Sequence, residues 1–176
     1  MTQPVRAAVL TISDRCHQGT AVDHSGPALE RLLKERIGAS IVHRSLVPDD
    51  ATRIVECLRL WIASPTAPGS GPPPPDLIVS TGGTGLGPRD VTPEAVDQVI
   101  ERPCPGLMEL ARSRCVASEP RAALSRGVAG IAGRTLIVTL PGSPQGASDT
   151  IGAILDVLPH AISILRGSRH DDPPAR

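Results

Sequence analysis

Apolar and polar positions follow two rhythms along the chain. Short apolar runs bounded by polar residues predict buried strands over 5–12, at Leu77-Ile78-Val79 and over Thr135 to Leu140. Residues 39–47 alternate well enough for another strand. Between these runs the apolar positions recur at helical spacing. Leu29, Leu32, Leu33 and Ile37 form one stripe, opened by Ser25 as the expected cap and ended by Gly38. Ile54, Cys57, Leu58, Trp61 and Ile62 form a second, started by Asp49-Asp50. Thr92-Pro93 predicts a short helix, with the threonine hydroxyl as cap and proline first. Residues 106–116 also read as helical. Gly127 to Gly133 is too rich in glycine for a helix and predicts a hairpin. Pro141-Gly142-Ser143-Pro144 is a turn that repeats the cap-then-proline pattern. The last helix carries Ile151, Ile154, Leu155, Leu158, Ile162 and Leu165, and Pro159 is expected to bend or interrupt it. Strands alternating with helices predict a three-layer α/β/α domain with a mainly parallel sheet.

Composition narrows the functional classes. The 176 residues carry 18 basic and 18 acidic side chains, so no field of one sign draws in nucleic acid or an anionic membrane. An anionic ligand must be held by local groups. One Trp and no Phe or Tyr leave the core to Val, Ile, Leu and Ala, and deny single-stranded nucleic acid its usual stacking platforms. Cys16, Cys57, Cys104 and Cys115 form no C-x-x-C pair and read as reduced thiols. The apolar start over 5–12 is too short for a signal segment, and no apolar run approaches the roughly 20 residues that span a bilayer. The expected location is the cytoplasm. Residues 1–167 read as one domain, with 65–75 a proline-rich surface loop and 168–176 a flexible polar tail.

Four segments follow predicted strands: Ser13-Asp14-Arg15, Pro48-Asp49-Asp50, Thr81 to Asp90, and Pro141-Gly142-Ser143. In a parallel sheet such loops share one edge, outside the carboxyl ends of the strands, where ligands of these folds sit. Thr81-Gly82-Gly83-Thr84-Gly85 is the most informative. Glycines let backbone N–H groups wrap an anion, and the threonine hydroxyls add donors. A sharp structural turn would need the same residues. The run is not a Walker loop, since no Gly-Lys-Ser/Thr follows, and Pro88-Arg89-Asp90 separates it from the next helix, unlike a dinucleotide fingerprint. Asp49 and Asp90 are the candidates for chemistry, orienting Mg²⁺ over ATP phosphates or steering the attacking group. The bland alternative is that each caps a helix. Asp14 and Asp50 are weaker candidates, and Arg89 could meet phosphate or a carboxylate of its own loop.

At these residues the chain resembles the MogA/MoaB-type molybdopterin adenylyltransferases, a family that includes the N-terminal domain of gephyrin. The likeness is carried by Thr11-Ile12-Ser13-Asp14-Arg15, Ser25 to Leu29, Val47-Pro48-Asp49-Asp50 and, above all, the stretch from Asp76 to Ala95. Pro105 to Glu109, Ala123-Leu124-Ser125-Arg126 and Leu140 to Pro144 continue it in order. The resemblance implies the fold of molybdopterin-binding proteins, a homotrimer, and adenylyl transfer from ATP to molybdopterin with Mg²⁺, releasing pyrophosphate. It also implies passage of the product to a molybdenum insertase. Carried over by position, Asp49 and Asp90 match the essential carboxylates and the metal site. Ser13 and Asp14 are expected in the substrate site, and Thr81, Gly82, Gly83, Thr84 and Gly85 match the phosphate-handling loop. Ser125 lies where the pterin product is held, and Pro141, Gly142 and Ser143 line the nucleotide side. The loop 65–75 looks longer than the family usually has.

Two rival functions remain at this level. A non-catalytic molybdopterin carrier or scaffold of the MoaB type would keep the same pocket. A nucleotide-dependent oxidoreductase would use the glycine loop but lacks the fingerprint.

Overall fold

The structure is a computed structural model that describes residues 3–63 and 74–167. Six strands form one sheet in the order β2-β1-β3-β6-β5-β4. They are β1 (Arg6–Ile12), β2 (Ser40–Val47), β3 (Leu77–Thr81), β4 (Arg102–Pro103), β5 (Ala129–Ala132) and β6 (Thr135–Leu140). The first three and β6 run parallel; β5 pairs antiparallel with β4 and β6. The glycine-rich stretch is one arm of the predicted hairpin, with Ala132 opposite Thr135 across a two-residue turn.

Both sheet faces are covered over β1, β3 and β6, so these parallel strands read as nearly continuous apolar runs, whereas the edge strand β2 has no buried residue. Alternation assigns each residue to a face. Ala7, Val9, Leu77, Val79, Leu136 and Val138 meet α2 (Ser25–Ile37), α5 (Pro105–Cys115), α6 (Pro144–Gly152) and α7 (Leu158–Leu165). Ala8, Leu10, Ile12, Ile78 and Ile137 meet α3 (Ala51–Ile62) and α4 (Thr92–Asp97). A short α1 (Asp14–His17) follows β1. The three-layer α/β/α architecture expected from the sequence is what forms. No helix among the described residues is long and apolar enough to cross a membrane.

Several local expectations need correction. Ser25 is not a cap: α2 begins at it, and its hydroxyl donates to the Gly142 carbonyl at 2.9 Å, tying α2 to the loop after β6. Asp23 Oδ1 accepts from Gly26 N at 2.9 Å instead. Thr92 is not a cap either; its buried hydroxyl donates to the Gly82 carbonyl at 2.8 Å. In both places a longer-range acceptor outcompeted the helix's own first turn. Pro159 does interrupt the last helix, in the first turn of α7 after a break at 153–157.

The amino ends of the strands are locked by charge. Asp76, 4% exposed, accepts from Arg6 N at 2.9 Å, Arg6 Nη2 at 2.7 Å and Arg166 Nη2 at 2.7 Å. Arg166 also donates to the Gln3 and Pro4 carbonyls, so one carboxylate joins the first strand to the end of α7. Burial works against the Asp76 charge, but the bonds from Arg6 and Arg166 outweigh it and hold the carboxyl well below its ordinary value.

Much of the proline-rich loop, 65–73, and the tail 168–176 lie outside the described residues. Pro75 belongs to the fold: it is buried, and its carbonyl accepts from Thr135 Oγ1 at 2.7 Å.

Two tests follow from these contacts. Replacing 65–73 by a short Gly-Ser linker, with Pro74 and Pro75 kept, is expected to leave the melting temperature within a few degrees. Loop closure changes by only about 0.6 kcal/mol per doubling of length. A large loss of soluble protein would show that the segment packs against the body. Asp76→Asn leaves two guanidinium groups without their carboxylate. It should cost about 2–3 kcal/mol, or roughly 5–10 °C at neutral pH. A depressed carboxyl pKa contributes its stability above the unfolded value of about 3.9 and loses it as pH falls below that. Melts of wild type and Asp76→Asn should therefore converge as pH drops below about 4; a gap independent of pH would contradict the role of the charge.

Candidate active site

The four loops singled out in the sequence leave the carboxyl ends of β1, β2, β3 and β6, which lie side by side. Strand register sets them level: Ile12 pairs with Val47 and Thr81 with Leu140. Beyond β1 and β2, two aspartates clasp each other's backbone. Asp14 N donates to Asp49 Oδ2 at 2.8 Å, and Asp49 N donates to Asp14 Oδ1 at 3.0 Å. Arg89 reaches across from the glycine loop to Asp14 Oδ2 at 2.7 Å. That bond holds the Asp14 carboxyl below its ordinary value.

The loops after β3 and β6 are joined as tightly. Thr81 Oγ1 donates to the Pro141 carbonyl at 2.7 Å, and Gly82 N to the Leu140 carbonyl at 3.1 Å. Gly82 has φ 109°, and a Cβ there would stand 2.0 Å from the Ile12 carbonyl oxygen. Gly83 has φ 63°, and its Cβ would stand 2.3 Å from Thr92 Oγ1 and 3.2 Å from Asp49 Oδ1. These two glycines are required by the approach of neighbouring backbone and side chains, whatever binds later.

Beyond them the chain turns through Thr84 to Asp90. Asp90 Oδ2 accepts from Gly87 N at 2.7 Å. The amides of Gly83, Thr84, Gly85 and Leu86 donate to no acceptor among the described residues. Four successive free N–H groups on one loop are what an anion would need.

Thr84, Gly85 and Asp90 open onto a cavity of about 700 Å³, shared with Ser125, Pro141, Gly142 and Ser143. It is also lined by Cys115, Ser118, Glu119, Arg121, Asp149 and Thr150, for which no motif or spacing in the chain offered a signal. They come from α5, the 3-10 turn Pro120–Leu124 and α6, elements remote from the glycine loop in sequence. Burial raises the Cys115 thiol pKa, whereas Arg121 pulls the Glu119 carboxyl down to about 2. Cys115 is thus a neutral wall and Glu119 a paired charge. A second hollow of about 490 Å³ lies at the amino ends of the strands, beside Arg6, Asp76 and Arg166. Arg6, Asp76 and Arg166 are spent on one another there, which leaves the carboxyl edge as the candidate site.

The structure divides the expected site residues. Gly83, Thr84, Gly85, Asp90, Ser125, Pro141, Gly142 and Ser143 line the cavity; Ser13, Asp14, Asp49, Thr81 and Gly82 do not. Ser13 caps α1 through Cys16 N, and Ser143 caps α6 through Gly146 N at 3.1 Å. Neither aspartate singled out for chemistry is a helix cap. Asp50 caps α3 through Arg53 N at 3.0 Å, which leaves Asp49 to the clasp, and α4 starts without a side-chain cap.

Asp49 Oδ1 and Asp90 Oδ1 each receive no hydrogen bond among the described residues. No three His, Cys, Asp or Glu side chains converge on a metal position among those residues. The described residues therefore offer no full protein cage for a metal. Asp49 and Asp90 each keep one open oxygen, the kind of ligand that Mg²⁺ takes when one or two carboxylates bind it together with substrate phosphates and water.

Comparison with known proteins shows the family of the chain. Residues 8–160 match the family model MoCF_biosynth, described as "Probable molybdopterin binding domain". The chain is 40% identical over 163 residues, 93% of its length, to the molybdenum cofactor synthesis protein cinnamon of Drosophila melanogaster. It spans only 26% of that longer protein. It is 33% identical to the molybdopterin adenylyltransferase of Helicobacter pylori, over 94% of this chain and 90% of the relative. Among solved structures, the molybdopterin biosynthesis enzyme MoaB of Thermus thermophilus superposes with a TM-score of 0.82 at 44% identity, covering 93% of this chain and 98% of that one. The chain, with its parallel sheet, its glycine loop and the cavity beside it, belongs to the molybdopterin-binding-domain family.

Proposed function

We propose that the chain is a molybdopterin adenylyltransferase of molybdenum cofactor biosynthesis. A phosphate oxygen of molybdopterin attacks the α-phosphorus of ATP. The bond from that phosphorus to the β-phosphate bridging oxygen breaks, and adenylylated molybdopterin and pyrophosphate leave. The observation that carries this reading is the run of free amides from Gly83 to Leu86 beside the Asp90 carboxylate, at the mouth of a cavity large enough for two ligands' reacting ends. The relative from Helicobacter pylori is named for this activity.

In this reading the amides of Gly83 to Leu86 bind phosphate oxygens and need no reorganisation as charge moves to the leaving pyrophosphate. Thr84 adds a hydroxyl from the cavity wall. Ser125 and the Pro141-Gly142-Ser143 turn hold the two substrates against each other, which lowers the entropic part of the barrier. Asp90 and Asp49 would hold Mg²⁺ by their open oxygens, and the ion would supply charge neutralisation on the phosphates. Asp14 and Arg89 brace Asp49 from behind. The working form is a cytoplasmic homotrimer that passes its product to a molybdenum insertase.

One observation favours a carrier instead: Asp49 is engaged with Asp14 and does not line the cavity. Incubating the protein with molybdopterin and labelled ATP-Mg²⁺ separates the two. Labelled adenylylated product is expected, and retention of unmodified molybdopterin with no product would identify a carrier.

The aspartates give a sharper test. Asn keeps the shape and one acceptor oxygen, so Asp90→Asn can still accept from Gly87 N and Asp49→Asn from Asp14 N. Each variant should melt within a few degrees of wild type and turn over about 100-fold more slowly or worse. Initial rates across a Mg²⁺ titration, with melts alongside, check this. Normal rates in both variants would remove the catalytic role. A loss of activity matched by a loss of folded protein would return them to a structural one. Sedimentation at micromolar concentration should give about three times the chain mass; a stable monomer would count against the trimer.

A further inference from the structure

Arg126 lies outside the cavity yet holds the loop that borders it. Its main-chain N–H donates to the Thr84 carbonyl at 2.9 Å, its Nε to the Gly85 carbonyl at 2.7 Å, and its Nη2 to the Asp90 carbonyl. Its Nη1 pairs with Glu94 in the first turn of α4. Between Gly82 and Val91 the loop has no regular structure; its start is tied by Gly82 N to the Leu140 carbonyl, Thr92 Oγ1 to the Gly82 carbonyl and Thr92 N to the Gly83 carbonyl. From Thr84 to Asp90 the bonds besides those of Arg126 are Ser125 Oγ to Thr84 Oγ1, Gly87 N to Asp90 Oδ2, Asp90 N to the Gly87 carbonyl, and Arg89 to Asp14. One planar guanidinium therefore fixes the middle and the end of the loop at once.

The consequence follows from peptide geometry. Every peptide here is trans, so each carbonyl points opposite to the N–H of the next residue. Drawing the Thr84 and Gly85 carbonyls toward Arg126 turns the N–H groups of Gly85 and Leu86 away from it. Those are two of the amides that have no protein acceptor. Drawing in the Asp90 carbonyl sets the backbone from which the Asp90 carboxylate projects, and Gly87 N then fixes its side chain.

We propose that Arg126 is a positioning residue of the transfer site: by binding the Gly85 and Asp90 carbonyls through its guanidinium, beside the main-chain bond to Thr84, it presents the Leu86 amide to an oligophosphate and sets Asp90 beside it. The proposal rests on the phosphate-handling reading of that loop. A purely structural role would be the ion pair with Glu94 alone, and lysine would satisfy that. Lysine carries a point charge and no planar fork, so it cannot serve the Gly85 and Asp90 carbonyls together with Glu94.

The test uses the full chain labelled with ¹⁵N and inorganic pyrophosphate as probe, so that it does not depend on turnover. In wild type, Arg126 Nε–H should exchange slowly with solvent, and pyrophosphate should shift the amides of Gly85 and Leu86. Rapid exchange, or no shift at those two amides, overturns the proposal even if no variant folds. Arg126→Lys should melt cooperatively, bind pyrophosphate at least tenfold more weakly, and lose about 100-fold in kcat with a smaller change in KM for molybdopterin, the scale expected for a displacement of about 1 Å. Ethylguanidinium added at millimolar concentration to Arg126→Ala should restore part of the pyrophosphate affinity. Folded Arg126→Lys with wild-type pyrophosphate affinity and kcat would overturn the proposal, as would losses that merely track the unfolded fraction. Failure of the adenylyl-transfer reading would show as wild type that makes no product, while the pyrophosphate shifts still report on Arg126.

Discussion

The contact on which the site depends is the backbone crossing at Gly82. Strand β3 lies between β1 and β6, with all five of its residues buried, and delivers the chain to the carboxyl edge of the sheet. There it must pass so close to the Ile12 carbonyl that a Cβ would overlap it at 2.0 Å. Gly82 N meets the Leu140 carbonyl on the other side, and the Gly82 carbonyl accepts from Thr92. This one residue pins the exits of three strands to the start of α4. Everything the site uses, from the free amides of the loop to the position of Asp90, is built outward from that crossing.

A chain of zero formal charge must bind an anion by local means, and the dipoles of the glycine loop are arranged to offer one. Carbonyls of the glycine loop are occupied by Arg126, and the opposite ends of those peptides are left as donors. Carboxylates are spent in the same economical way. Asp14 and Asp49 each give one oxygen to the other's backbone, and Asp90 gives one to Gly87. The loops are thereby ordered by the acidic groups that would act in them, and each of Asp49 and Asp90 retains one open oxygen. Two roles in one side chain are compatible because a carboxylate has two oxygens that can face in different directions.

The charge cluster that locks the scaffold and the candidate site occupy opposite edges of the sheet. At the amino ends, Asp76 gathers Arg6 and Arg166 and closes the last helix onto the first strand. The carboxylate is nearly buried and the three charges satisfy one another, so they hold the scaffold without offering a binding site. At the carboxyl ends, polar groups are exposed to a cavity and left with unused capacity. The rigid edge allows the other to carry loops without regular structure.

The sequence by itself determined the layers, the strands and the glycine loop. Continuous apolar runs and helical patterns survive tertiary packing because burial on both sheet faces selects the same apolar residues that create the pattern; Leu77 to Val79 and Thr135 to Leu140 are legible for that reason. Pro159 was legible as an interruption because its ring restricts the backbone locally. Only the tertiary structure decided where the polar side chains point. Ser25 and Thr92 look like caps in sequence, but acceptors 117 and 10 residues away claimed them. Asp49 looked as good a cap as Asp50 until the strands set Asp14 beside it. The cavity lining from Cys115 to Thr150 and the grip of Arg126 on a loop some 40 residues earlier were invisible for the same physical reason. A hydrogen bond between distant segments leaves no periodicity in the chain and exists only once the sheet has fixed the distance between them.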